Sequence, residues 1–126
     1  MTDKTTFESL EENVIEWGDA KNLIKKDNAI PQLNKTMEEY LETRDAVVKL
    51  LTLREVRQKP NPYLEDMIKE AEDEIEDGLG DVLVTLILFA KLSGLDCVGA
   101  LETAYNVIKN RTGKTVDGIF IKDAGQ

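Results

Sequence analysis

Apolar residues recur along this chain at helical rather than alternating spacing. Phe7, Leu10, Val14, Ile15, Trp17, Leu23 and Ile24 predict a first helix over about residues 5–25, with Gly18 marking a kink or an end within it. Pro31 suits the first turn of a second helix. Leu33, Met37, Tyr40, Leu41, Val47, Val48 and Leu51 carry the apolar stripe of that helix through about residue 53. Residues 54–62 are polar, contain Pro60 and Pro62, and read as a connection. A third helix is predicted over about residues 63–92, stopped by Ser93-Gly94. Its first half is apolar on one side, whereas 82–90 is apolar nearly all round, as a central bundle helix requires. Asp96 is placed to cap a fourth helix reaching about Asn110, with Ala100, Leu101, Ala104, Val107 and Ile108 on its apolar side. Val116-Asp117-Gly118-Ile119-Phe120-Ile121 reads as a short extended piece in the tail. The expected fold is all-α, a bundle of about four helices with a short extended C-terminal tail, in a single domain spanning 1–126.

Charge narrows the classes of function. With 16 basic and 25 acidic residues the net charge is −9, which argues against nonspecific nucleic-acid binding and against an anionic membrane surface. The apolar run at 82–90 is too short to span a bilayer, and residues 1–12 lack the apolar core of a signal peptide. A single cysteine, Cys97, excludes an intrachain disulfide and reads as a small core residue. These features fit a cytoplasmic protein. The absence of histidine removes Ser-His-Asp and Cys-His nucleophilic sites, imidazole zinc sites and the Glu-x-x-His pairs of di-iron bundles. Carboxylates, Lys, Arg and an activated water are what remains for chemistry.

The carboxylates are not scattered. Glu70, Glu74, Asp77 and Asp81 fall within roughly a 60° arc of the third helix, and Val84 and Leu88 continue that strip into the apolar segment, so Asp81 should point where core residues point. Gln32, Lys35, Glu39 and Glu42 share an arc of roughly 80° on the second helix. Helices joined by a short connection pack antiparallel, which sets Glu39 and Glu42 opposite Glu74, Asp77 and Asp81. Acids that face a common gap repel one another unless a cation neutralises them, and an all-oxygen donor set suits Mg²⁺, with Mn²⁺ as a substitute. Glu72, Asp73 and Glu76 read as solvated surface residues. Lys35 can form an i,i+4 pair with Glu39. Asn106 and Lys109 share a face of the fourth helix, and Arg111 and Lys114 follow where it ends. That cluster suits phosphate oxygens, although basic residues also stabilise a helix C-terminus with no ligand present. Trp17, the only tryptophan, is more often a core anchor than a stacking platform.

Taken in order, these residues resemble the MazG-like, all-α nucleoside triphosphate pyrophosphohydrolases, particularly small phage-type members. The resemblance runs through Ile15-Glu16-Trp17, Lys21-Asn22-Leu23-Ile24, Gln32, Lys35, Glu38-Glu39-x-x-Glu42, Gly80-Asp81-Val82-Leu83, Gly94-Leu95-Asp96 and Ala104-Tyr105-Asn106-x-Ile108-Lys109-x-Arg111-x-Gly113-Lys114, ending at Gly118-Ile119-Phe120-Ile121-Lys122. It implies an E-x-x-E followed by an E-x-x-D that together bind Mg²⁺. Glu39 and Glu42 match the first half, with Glu38 as the neighbouring acid. In the second half Gly78 stands where the glutamate belongs, and Glu74 and Asp77 form an E-x-x-D one turn earlier. The implied metal set is Glu38, Glu39, Glu42, Glu74, Asp77 and Asp81. The implied reaction is hydrolysis of a nucleoside triphosphate between the α and β phosphates, releasing the monophosphate and pyrophosphate. Glu39 or Glu42 would take the proton of the attacking water, and Lys35, Lys109 or Arg111 would hold the outgoing pyrophosphate. Asn106 belongs to the same polar cluster, and Trp17 and Gln32 are implied to lie near the base. Family members assemble as dimers or tetramers, so a homo-oligomer is expected. A dUTPase- or dCTPase-type relative shares the carboxylate logic. A catalytically silent helical adaptor for a protein partner is the alternative from another class.

Overall fold

The computed structural model describes residues 5–56 and 61–125. Among these residues there are four α-helices, α1 (Phe7–Ala20), α2 (Ala29–Val56), α3 (Pro62–Leu92) and α4 (Cys97–Ile108), and two short strands, β1 (Gly113–Val116) and β2 (Ile119–Lys122). The chain forms two compact units, residues 1–94 and 95–126. The all-α expectation holds, with the extended tail folded into a hairpin. No single described helix is long and apolar enough to cross a membrane.

In the first unit, Thr6 opens α1 with a reciprocal cap. Its Oγ1 accepts from the Ser9 N–H and its own N–H donates to Ser9 Oγ, each at 3.0 Å. The helix is shorter than its apolar periodicity suggests. It ends at Ala20 because Asn22 takes a left-handed conformation (φ 59°). The Leu23 N–H then bonds the Gly18 carbonyl at 2.9 Å and the Asn22 N–H the Asp19 carbonyl at 3.0 Å. This is a Schellman stop with asparagine in the position usually held by glycine. Leu23 and Ile24 therefore leave the helix, and Gly18 is neither its kink nor its end. It lies buried inside α1, where a β-carbon would collide with the Leu88 Cδ2 of α3.

A 3-10 turn at Lys26–Asn28 leads into α2, which starts at Ala29. Of the connection expected at 54–62, residues 57–60 lie outside the described residues, while 54–56 continue α2 and Pro62 opens α3. Asn61 caps that helix, its Oδ1 accepting from the Tyr63 N–H at 2.9 Å. Helix α3 ends as expected, with Ser93 at its C-cap and Gly94 at φ 76°.

Helices α2 and α3 run antiparallel. Thr36 meets Thr85, Thr43 meets Gly78, and Leu50 and Leu53 cluster with Ile68 and Ala71, so positions rise along α2 as they fall along α3. The aliphatic cluster, flanked by Leu64, Met67 and Ile75, fixes one end of the pair. Leu88, only 2 % exposed, anchors the other end against α1. Between them the interface turns polar, and the site lies there.

In the second unit, Asp96 caps α4 as expected, its Oδ1 accepting from the Gly99 N–H at 2.6 Å. Cys97 is the first residue of α4 and is half-buried rather than a core residue, on a helix with no buried residue. The predicted extended piece is a hairpin. Val116 pairs with Ile119 across Asp117-Gly118, both at positive φ (51° and 78°) as a two-residue turn of this hand requires. Asp123 closes the open end, donating its N–H to the Thr112 carbonyl at 2.9 Å and accepting the Thr112 hydroxyl at 2.7 Å.

Candidate carboxylate site

Glu39 is the centre of the site. It is only 8 % exposed although it is a carboxylate, because α2 turns this face directly onto α3. Its neighbour one turn earlier is Lys35, whose Nζ lies 3.3 Å from Glu39 Oε1 and 3.2 Å from Glu38 Oε1. Hydrogen bonding to Glu38, and then to Glu39, raises the Lys35 ammonium above its ordinary pKa. Lys35 remains half-exposed, so the ammonium beside the buried Glu39 carboxylate is a solvated one.

Glu39, Glu42, Glu74, Asp77 and Asp81 line one cleft of about 270 Å³, together with Thr43 and Gly78. The expected opposition of the two acidic faces is thus present. Three details differ from expectation. Asp81 lines the cleft but is itself exposed, because the strip turns inward only beyond it, at Val84, Thr85 and Leu88. Glu70, on the same strip, is exposed and lies outside the cleft lining. Glu38 points to solvent, with its side chain 56 % exposed, and reaches the site only through Lys35.

A larger cavity of about 470 Å³ adjoins this cleft, and Glu39 and Asp81 belong to the walls of both. Trp17, Leu23, Pro31, Gln32, Lys35, Val84, Thr85 and Leu88 complete its lining. Trp17 is 49 % exposed, so it is an open indole face at a cavity rather than a core anchor. The Schellman stop that shortens α1 also delivers Leu23 to this cavity.

Several contributors were not visible as site residues in the sequence. Thr85, 5 % exposed, has its hydroxyl 2.8 Å from that of Thr36, and the two oxygens lie 2.7 Å and 2.9 Å from the Val82 and Gln32 carbonyls. Thr43 donates its hydroxyl to the Glu39 carbonyl at 2.7 Å and packs on Gly78. Lys49 Nζ lies 3.9 Å from Glu74 Oε1, tying that acid to α2 from outside the cleft. Thr43 follows Glu39 by one helical turn, so its place on the strip was countable; the other contacts depend on how the two helices meet.

The second unit carries Asn106, Lys109 and Arg111. Lys109 Nζ stands 5.9 Å from the centre of the Tyr105 ring. Arg111 is half-buried, and its Nε is enclosed without a hydrogen-bond partner. Asn106 is exposed on α4.

The donor set of the cleft is chemically suited to a hard divalent cation: oxygen donors only, carboxylates and the Thr43 hydroxyl, with Glu39 deeply buried. Among the described residues no three acids already converge into a ligand group. Glu42 and Glu74 are both exposed. No protein-family model, curated protein or solved structure matches this chain.

Proposed function

We propose that this protein hydrolyses a nucleoside triphosphate to the monophosphate and pyrophosphate, acting as a MazG-like pyrophosphohydrolase with Mg²⁺, for which Mn²⁺ can substitute. The observation that carries the reading is a shared wall. Glu39 and Asp81 border both the carboxylate cleft and the Trp17 cavity, so a hard-cation donor set adjoins an aromatic space of the size and chemistry of a nucleoside.

Glu39, Glu42, Glu74, Asp77 and Asp81 would hold the cation. When bound it supplies charge neutralisation at the phosphate oxygens as the α–β bridge breaks. The protein's own groups do the rest. Glu42, exposed in the lining of the cleft, takes the proton from the attacking water, with Glu39 as the alternative acceptor. Lys35, already fully charged beside Glu38 and Glu39, turns to the departing pyrophosphate. Trp17 stacks the base, and the Gln32 amide donates to or accepts from its edge. The substrate class is a deoxynucleotide or modified nucleotide, which a dUTPase- or dCTPase-type relative would share, and the active form is a homo-oligomer.

Gly78 favours a second reading. It takes the place of an expected carboxylate, which suits a silent helical adaptor whose acidic face meets a protein partner. Thermal melting with Mg²⁺ and a nucleotide separates the two. The hydrolase gains stability from the pair beyond either component alone. No shift with any nucleotide, in protein that melts cooperatively, supports the adaptor.

A further inference from the structure

Trp17, Asp81 and Val84 also border another cavity, of about 350 Å³, completed by Leu10, Asn13 and Val14 of α1. Asn13 and Trp17 are one helical turn apart and therefore share a face. Leu10, Val14, Val84 and the indole make this lining largely apolar, with Asn13 and Asp81 as its two polar groups. An apolar space with a few convergent polar groups is the usual composition of a small-molecule site. The two polar groups are not equivalent. An ionised aspartate only accepts hydrogen bonds, whereas an asparagine amide donates and accepts side by side. That paired pattern complements the edge of a nucleobase, which also sets a donor next to an acceptor.

We propose that Asn13 is a specificity-determining residue that reads the base edge of the nucleotide in this cavity while Trp17 stacks the ring. The inference rests on the nucleotide reading of the site and deepens it, because it adds a residue on α1 to base selection. It has a directional chemical consequence. Asn13→Asp replaces a donor–acceptor pair by two acceptors. Guanine, which offers N1–H and N2–H together, is the base that two adjacent acceptors suit, whereas adenine, cytosine and uracil each lose a contact.

The test measures pyrophosphate release from the four common ribo- and deoxyribonucleoside triphosphates with Mg²⁺, for the wild type, Asn13→Asp and Asn13→Ala. Asn13 is exposed on α1, and circular dichroism checks that each variant keeps its helices. Quenching of Trp17, the only tryptophan, by nucleoside monophosphates gives a binding readout that needs no hydrolysis. Asn13→Asp should move the kcat/KM ranking toward guanine by about tenfold, the scale of one paired base contact. Asn13→Ala should lower every base. An unchanged ranking in Asn13→Asp overturns the inference while leaving the hydrolase reading intact. If the wild type quenches but does not hydrolyse, the catalytic reading fails and Asn13 is judged by the quench ranking. If no nucleotide quenches Trp17 or is hydrolysed, both fail.

Discussion

Thr43 and Gly78 touch where α2 crosses α3, so closely that a β-carbon at position 78 would collide with Thr43 Oγ1 and lie 3.0 Å from Thr43 Cβ. The Thr43 hydroxyl is in turn bound to the Glu39 carbonyl at 2.7 Å, one turn back along the same helix. Position 78 therefore carries no carboxylate for a steric reason: the space a side chain would need is filled by α2. Gly78→Ala should destabilise the protein by about 1–3 kcal/mol, the usual cost of overpacking. Adding Thr43→Ala should recover part of that loss, since it removes the nearest atom. Urea denaturation of both single variants and the double variant measures the coupling; additive costs would show that the contact is not the constraint.

Gly18 is the corresponding contact between α1 and α3, against Leu88. Leu88 is among the most buried side chains and has little room to move. Gly18→Ala should lower the melting temperature by an amount on the order of that for Gly78→Ala, and it should also disturb Trp17 emission, because the indole is on the adjoining residue. Unchanged melting and emission together would contradict the packing described.

The Thr36–Thr85 hydroxyl pair crosses the interface beside the Trp17 cavity. Thr85→Val keeps the shape of the side chain and removes its hydroxyl, which should cost about 1 kcal/mol. Thr36→Val in the same chain should then cost less than it does alone, because its cross-helix partner is already gone. Equal costs in both backgrounds would show that the two hydroxyls do not act together.

For Lys35 the sign follows from its raised pKa. The folded state binds its proton more tightly than the unfolded chain, so the ion pair's contribution is fully present below pH 10.5 and is lost as pH rises through the higher folded value. Activity in the neutral range should show no inflection from this group. An NMR titration of Lys35 Nζ should give a midpoint above 10.5, reduced more by Glu38→Gln than by Glu39→Gln, in the order of their hydrogen-bond contributions. The reverse order would mean that Glu39 is the main partner.

Much of this was legible along the chain because it depends on single-helix periodicity. The acidic strips of α2 and α3, the stop at Ser93-Gly94 and the Asp96 cap are all local patterns of 3.6-residue spacing and turn chemistry. The end of α1 was legible in kind but was overridden by the apolar count: Leu23 and Ile24 continue the stripe, yet Asn22 tolerates the left-handed conformation and ends the helix first. The hairpin turn at Asp117-Gly118 carried its own signal, a dipeptide suited to two positive φ values. What sequence spacing does not carry is the contact between helices. The approach of Gly78 to Thr43, the Thr36–Thr85 pair and the tie from Lys49 to Glu74 depend on the rotation and separation of α2 against α3. The same rotation decides that Asp81 is exposed while Glu39, on the opposite helix, is buried.

The central claim is that the carboxylate cleft hydrolyses a nucleoside triphosphate between its α and β phosphates. Quantifying monophosphate and pyrophosphate from a panel of canonical and modified triphosphates, with Mg²⁺ and with chelator, tests it most directly, with Glu42→Gln run alongside. The account predicts equal amounts of the two products, loss of the reaction with chelator, and at least about a hundredfold lower rate in Glu42→Gln, the low end of what a proton acceptor contributes. Folded wild-type protein that releases pyrophosphate from none of these substrates, or Glu42→Gln with undiminished release, would contradict it.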